Sequence, residues 1–202
     1  MSKTIILVRH GSLEKQYDGC YIGSTDLPLS SEGVKDAIAL GSHFKPSDIS
    51  SIYASPLLRA RQTAEQIALA APHVPVIHED LLREIDFGAW EGLTFDQISN
   101  RDPVEAERWA SSPVGFAFPG GEALDAFYSR VRQIKQMLLS LEQDNIVLIT
   151  HGGVIRCLIC NILAIEMQKS LSLKIDRGSV SSMSLFQNGL GLLTSLNFKP
   201  AG

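Results

Sequence analysis

The 202-residue sequence contains no run of about 18 or more apolar residues, so it predicts no transmembrane helix and no membrane partner. It has three cysteines, Cys20, Cys157 and Cys160, too few for a disulfide framework and suited to a reducing cytoplasm. Cys157 and Cys160 spell C-x-x-C, yet no second pair or histidine pair completes a zinc site. They are expected as two small apolar residues on a helix, and no metal is predicted. A basic excess is also missing. Lys and Arg number 18 against 22 Asp and Glu, a net charge of −4, which argues against a nucleic-acid or anionic-membrane binder. Neither G-x-G-x-x-G nor a P-loop follows the first apolar run, so no nucleotide cofactor, and no other cofactor, is expected. The opening MSKTIILVRHG enters a strand directly, without a small-residue cleavage pattern, and predicts no secretory leader. Repeats and low-complexity tracts are absent.

What is present is ordinary globular material: hydrophobic residues make up 45% and charged residues 20%, which with this length predicts a single domain over 1–202. Strand-like and helix-like segments alternate. The pattern predicts an α/β fold: a mostly parallel central sheet, helices on both faces, and a helical or loop cover over the C-terminal strand ends. A helix is expected from about Ser31 to Phe44, capped by Ser30 or Ser31, with Val34, Ala37 and Ile38 facing the core. A short strand at 50–54 is followed by a helix opened by Ser55-Pro56 and running to about Ala70. A further strand falls at Val74–His78. Residues 87–121 concentrate both tryptophans with Phe87, Phe95, Phe116 and Phe118 but lack helical period, and are expected to cover a crevice as an insertion. An amphipathic helix at 122–141 carries Leu124, Phe127, Val131, Ile134, Leu138 and Leu141 on one stripe. A helix at 154–164 and strands near 180–187 and 191–197 complete the pattern, and an edge strand would permit a homodimer.

Two apolar strands end alike. Residues 4–11 read TIILVRHG and 146–153 read IVLITHGG, each closing on histidine then glycine. Ligands in open α/β sheets bind beyond the carboxyl ends of strands, so His10 and His151 are expected to share one crevice. Gly11 lets the backbone approach a ligand, and Arg9 adds a permanent cation. Histidine titrates near about 6.5, so a neutral His10 imidazole is available to attack phosphorus and form a phosphohistidine. In ASPLLRARQTA (54–64), Arg59 and Thr63 share one helical face, with Arg59 in the first turn, where an anion is favoured. Arg9 and Arg59 would grip phosphoryl oxygens as bidentate forks, while Arg61 points to solvent. His151, beside two arginines and a phosphoryl group, would be protonated and donate to a phosphate oxygen. A leaving oxygen also needs a proton. LREIDFGAWEG (82–92) offers Glu84, Asp86 and Glu91. The apolar flanks Leu82 and Ile85 favour Glu84 as general acid, with Asp86 the alternative and turn contacts the role left for Asp86 and Glu91.

Taken together, LVRHG, SPLLRARQTA, REIDFGAWEG and ITHGGVIR resemble the motifs of the histidine phosphatase superfamily, the phosphoglycerate mutase-like proteins, in order and over essentially the whole chain. The resemblance implies that His10 is the phosphorylated nucleophile. It further implies that Arg9, Arg59 and His151 form the phosphate pocket, that Glu84 is the proton donor, and that no metal is needed. Gly11, Gly23, Ser24 and Gly152 lie in the matching segments and are the implied substrate-binding positions. GSTDLPLSSEG, EIDFGAWEGLTFDQI and FPGGEALDAF resemble the short phosphatase branch that includes α-ribazole phosphatases of cobalamin assembly. Ser12 departs from that pattern, where many members carry Glu, Gln or Thr.

These residues lead to a cytoplasmic, metal-independent phosphomonoesterase acting on a small phosphorylated metabolite such as α-ribazole 5′-phosphate. A mutase-type phosphoryl transferase is the first alternative, and the short cover at 87–121 weighs against it. A non-catalytic phosphate-binding module is the second, and the presence of all five reactive residues weighs against it. Trp90, Phe116 and Phe118 are expected in the core of the cover, with stacking on a flat substrate ring as the alternative.

Overall fold

A computed structural model describes residues 2–111 and 113–200. Residue 112, inside the expected 87–121 insertion, and the ends of the 1–202 range lie outside the described residues. Six strands form one sheet in the order β3-β2-β4-β1-β5-β6: β1 (Ser2–Arg9), β2 (Ser51–Ala54), β3 (Val76–His78), β4 (Asn145–Thr150), β5 (Val180–Phe186) and β6 (Gly191–Phe198). The first four in that order run parallel, and β5 and β6 are antiparallel additions at one edge. This is the α/β architecture that the alternating pattern predicts.

The two central strands show why the sheet is covered on both sides. In β1, Ile5 and Leu7 enter one apolar cluster and Ile6 and Val8 the other; in β4, Ile146 and Leu148 oppose Val147 and Ile149 in the same way. A strand apolar on both faces must be buried on both. Helices α1 (Ser31–His43) and α2 (Leu58–Ala68) cover one face, and α5 (Leu124–Ser140) and α6 (Gly152–Ile162) cover the other. The α5 stripe faces inward as its spacing requires, with Leu124, Phe127, Val131, Ile134 and Leu138 buried.

Helix α1 corrects one expectation. Of Val34, Ala37 and Ile38, only Ala37 is buried, and the inward face is Gly33, Asp36, Ala37 and Leu40. The reason lies in the loop after β1. Gly33 packs so closely on Ser12 that a Cβ there would run into the Ser12 carbonyl oxygen, and a Cβ on Gly11 would run into that of Gly33. Asp36 accepts the Ser12 backbone N–H at 3.0 Å and its hydroxyl at 2.6 Å. The helix presents a small residue and a carboxylate to the loop because it holds that loop, and Val34 and Ile38 are left on the outer side.

Among the described residues, 87–121 contribute no sheet strand. They do contain two short helices, α3 (Phe95–Arg101) and α4 (Pro103–Ser111), which the broken period had concealed. Helix α3 starts on a capping box in which Thr94 accepts the Gln97 N–H and Gln97 accepts that of Thr94. Trp90, Phe116 and Phe118 are fully buried and pack on one another in the core, and Phe118 also lines a cavity. Cys157 and Cys160 are buried free thiols on α6, and burial pushes the Cys157 thiol up to about 12. Among the described residues, no helix is long and apolar enough to cross a membrane.

Gly33→Ala is expected to cost about 1–3 kcal/mol of stability through overpacking, whereas Val34→Ala, one residue along on the exposed face, changes it by less than about 0.5 kcal/mol. Urea denaturation of the two variants checks this.

Candidate active site

The site begins with a register. β1 and β4 pair in parallel with Arg9 opposite Thr150, and the His10 N–H donates to the Thr150 carbonyl at 3.1 Å. One step beyond the paired residues lie His10 and His151, their ring centroids 5.1 Å apart. Parallel neighbours sit about 4.8 Å apart, so the register alone brings together two imidazoles distant in sequence. Both are buried.

His10 Nδ1 lies 2.8 Å from the Gly11 carbonyl. A carbonyl only accepts, so Nδ1 carries the proton and the Nε2 lone pair is left for chemistry. His151 Nε2 lies 2.8 Å from Ser55 Oγ. That oxygen already accepts the Leu57 N–H, and its hydrogen has no other acceptor among the described residues. Ser55 therefore donates to Nε2, which places the His151 proton on Nδ1. The Gly11 N–H donates to Thr63 Oγ1 at 3.2 Å, and the Thr63 hydroxyl donates to the Arg59 carbonyl at 2.8 Å. The shared face of Arg59 and Thr63 thus ties α2 to the loop that carries His10.

Arg59 is fully buried in the first turn of α2. Its Nη1 donates to the Thr25 carbonyl at 2.8 Å and its Nη2 to that of Gly23 at 2.7 Å. Arg9 Nη1 donates to the Ile175 carbonyl at 2.6 Å. The loop carbonyls take one N–H each from Arg59 Nη1, Arg59 Nη2 and Arg9 Nη1, and both guanidiniums keep an unpartnered Nε with which to take part in a bidentate grip. Arg61 is exposed, as expected. Gly23 and Ser24 lie in the loop under Arg59, and Glu91 holds them from the other side. Its carboxylate accepts the N–H groups of Gly23 (3.1 Å), Ser24 (2.8 Å) and Phe87 (3.1 Å), and the Thr25 hydroxyl at 2.6 Å. Asp86 accepts the Ser24 hydroxyl and the Gly88 N–H, both at 2.9 Å. Asp86 and Glu91 therefore make the turn contacts expected of them.

Glu84 is half-buried between the buried Leu82 and Ile85. Its carboxylate accepts the Gly153 N–H at 2.9 Å, at the start of α6. Gly152 is as close: a Cβ there would sit 3.2 Å from Arg9 Cζ. The segment around Glu84 is fixed from behind. Arg130 on α5 donates to the carbonyls of Leu81 (2.8 Å) and Arg83 (2.6 Å) and pairs with Glu122 at 2.8 Å, while the Thr150 hydroxyl donates to the Leu82 carbonyl at 2.6 Å.

Charge explains what this arrangement awaits. Burial, then Arg59 and Arg9, hold the His10 imidazole well below its ordinary range. Burial, Arg59, His10 and Arg9 do the same to His151. Both rings are neutral in the free protein. The protonated His151 expected beside a phosphoryl group is therefore not the resting state. Burial lowers Arg9 to about 10, partly offset by Glu84, so it stays charged at neutral pH. Among the described residues, five buried side-chain polar atoms have no partner; Ser51 Oγ and Trp90 Nε1 lie elsewhere, and the other three, Arg9 Nε, Arg59 Nε and His151 Nδ1, belong to this site. Buried donors are ordinarily satisfied, so an anion with several acceptor oxygens fits here. No group of three or more His, Cys, Asp or Glu is placed to hold a metal ion among the described residues.

A cavity of about 770 Å³ opens over the site. Arg9, Ser12, Glu84 and Gly152 line it, while His10 and His151, their neighbours in the chain, are buried, as is Arg59. Phe87, Trp109, Phe118, Phe127 and Tyr128 make an apolar wall. Several residues that shape the site escaped the sequence reading. Ser55 stood only as a helix opener. Arg130 and Glu122 lie on a helix stripe whose period reveals packing but not a clamp on distant carbonyls. Asp36 carried no signal beyond its charge.

Residues 5–198 match the histidine phosphatase superfamily (branch 1). The chain is 33% identical over 178 residues to phosphoserine phosphatase 1 of Hydrogenobacter thermophilus, covering 88% of this chain and 84% of that protein. It is 26% identical to the adenosylcobalamin/alpha-ribazole phosphatase of Escherichia coli, covering 97% and 96%. The crystal structure of the alpha-ribazole phosphatase from Shigella flexneri superposes with a TM-score of 0.85 at 28% identity over 98% of each chain. With its fold, its motifs and its relatives in agreement, the chain belongs to the histidine phosphatase superfamily.

Proposed function

We propose that the protein is a metal-independent phosphomonoesterase that works through a phosphohistidine on His10. The observation that carries this reading is the trio of unpartnered buried donors beside a neutral imidazole whose Nε2 lone pair is free. A phosphoryl group fills that place: its equatorial oxygens accept from Arg9 Nε, Arg59 Nε and His151 Nδ1, and preorganised donors of this kind stabilise the charge spread in the transition state. Relatives bearing phosphatase names support the reaction class.

In the first step His10 Nε2 forms a bond to phosphorus in line with the leaving oxygen. The P–O bond breaks, its electron pair stays on that oxygen, and Glu84 supplies the proton. In the second step water attacks phosphorus, Glu84 takes the water proton, and the N–P bond breaks with its pair returning to Nε2. The products are an alcohol and inorganic phosphate. The free thiols fit a cytoplasmic setting. The leaving group is that of a small metabolite. α-Ribazole 5′-phosphate, phosphoserine and phosphoglycerates belong in one kcat/KM panel, with mutase activity assayed on 3-phosphoglycerate and its bisphosphate activator.

Rapid acid quench with mass spectrometry should find phosphate on His10 during turnover of p-nitrophenyl phosphate, and His10→Ala should abolish hydrolysis. Near-normal hydrolysis by that variant would end the proposal. Glu84→Gln should slow alkyl phosphates by about 10² to 10⁴. The first step of p-nitrophenyl phosphate, whose leaving group departs without a proton, should slow less.

A second prediction concerns pH. Both histidines have folded-state values below the ordinary one, so the unfolded chain binds more protons as pH falls through about 6.5. Stability is then fully present above that value and is lost toward pH 5, with a slope of up to about 1.4 kcal/mol per pH unit for each histidine. Urea denaturation between pH 5 and 7.5 should show this slope flattening in His10→Asn/His151→Asn. An unchanged slope in that variant would contradict the assignment.

A further inference from the structure

Arg156 takes no part in the mechanism above, yet it lines the same cavity as Arg9 and Glu84. It follows Gly153 by three positions and Gly152 by four on α6, so it stands on the helix face that meets Glu84 and Arg9. Glu84 marks the side from which the leaving group departs, because its proton must reach the leaving oxygen. Arg156 lies on that side.

Its charge is uncompensated. Arg156 Nε donates to the Leu173 carbonyl at 2.9 Å, which fixes the guanidinium, and that is the one hydrogen bond its side chain makes among the described residues. Arg9 and Glu84 belong to the phosphate site already described, and the remaining charged side chains lining the cavity are paired. Arg177 pairs with Asp18 at 2.9 Å, Asp176 with Lys174 at 3.2 Å, and Lys199 with Asp36 at 3.0 Å. Arg156 is also close enough to Arg9 to disfavour its charge. A cavity of about 770 Å³ lined by Arg9, Glu84 and Arg156 leaves ample room beyond a phosphoryl group for a leaving group that reaches Arg156.

We propose that Arg156 determines specificity by receiving a carboxylate on the leaving group, which makes the preferred substrate the phosphomonoester of a hydroxy acid or of a hydroxy amino acid. The planar fork of an anchored guanidinium, with both terminal nitrogens open, matches a carboxylate in shape and charge. The inference rests on the phosphomonoesterase reading, and it favours acid-bearing esters over α-ribazole 5′-phosphate, whose leaving group has no carboxylate.

The test uses substrate pairs that differ by one carboxylate: O-phospho-L-serine against O-phosphoethanolamine, and 4-carboxyphenyl phosphate against phenyl phosphate. The wild-type kcat/KM ratio should favour the carboxylate by about 10- to 100-fold in at least one pair, the span of a hydrogen bond to a charged group. Arg156→Leu should bring that ratio to near one, and Arg156→Lys should keep part of it. Because Arg156 also anchors Leu173, the ratio is the readout, since a merely structural loss lowers both members of a pair alike. A wild-type ratio near one in both pairs, an unchanged ratio in Arg156→Leu, or a preference for α-ribazole 5′-phosphate over the acid-bearing esters would overturn the proposal. Calorimetry of the same pairs on His10→Ala separates the two readings. A carboxylate preference in binding without hydrolysis by the wild type would sink the phosphatase reading and keep the subsite.

Discussion

Everything at this site depends on the pairing of β1 with β4. One register, Arg9 opposite Thr150, brings two His-Gly strand ends together at the middle of the sheet. A slip of one residue would turn every side chain of the strand to the other face. It would exchange Ile5 and Leu7 with Ile6 and Val8 between the two apolar clusters. The hydrophobic pattern that holds the core together therefore also fixes the distance between His10 and His151. The geometry of the site and the stability of the sheet are one constraint.

Around that pair the molecule concentrates positive charge where water is excluded. Arg59 is fully buried with its terminal nitrogens on the Gly23 and Thr25 carbonyls, and those residues are held in turn through their N–H groups or hydroxyl by Glu91. Carbonyl partners satisfy a guanidinium's geometry without neutralising its charge. A carboxylate in the same place would have closed the ion pair and left nothing for a ligand. The same choice recurs at Arg9 with Ile175 and at Arg156 with Leu173. Three arginines anchored on carbonyls near one cavity form a preorganised field for an anionic substrate.

Strand ends and punctuation made the meeting of His10 and His151 legible in the sequence. A Val-Arg-His-Gly stop and an Ile-Thr-His-Gly-Gly stop each mark a strand turning into loop or helix, and a parallel sheet leaves few places for both to go. What the sequence hid was held by unlike residues at unpatterned distances. The inward face of α1 uses Gly33 and Asp36, which hydrophobicity cannot flag, so Val34 and Ile38 were misplaced. The helices α3 and α4 are short and begin on caps and a proline, which weakens any 3.6-residue period. Arg130 reaches the carbonyls of Leu81 and Arg83 across 49 and 47 positions, and no local pattern encodes such a contact. At Arg59 the sequence shows a cation but not the Gly23 and Thr25 carbonyls that take two of its hydrogens and fix its orientation.

The central claim is that the buried donors beneath the cavity converge on one phosphoryl group attached to His10. A crystal structure of the protein with orthovanadate tests it most directly. The account predicts a five-coordinate vanadate bonded to His10 Nε2, with equatorial oxygens within hydrogen-bond distance of Arg9 Nε, Arg59 Nε and His151 Nδ1, and an apical oxygen facing Glu84. Vanadate bound elsewhere, or at His10 through Nδ1 with those three donors still unpartnered, would contradict it.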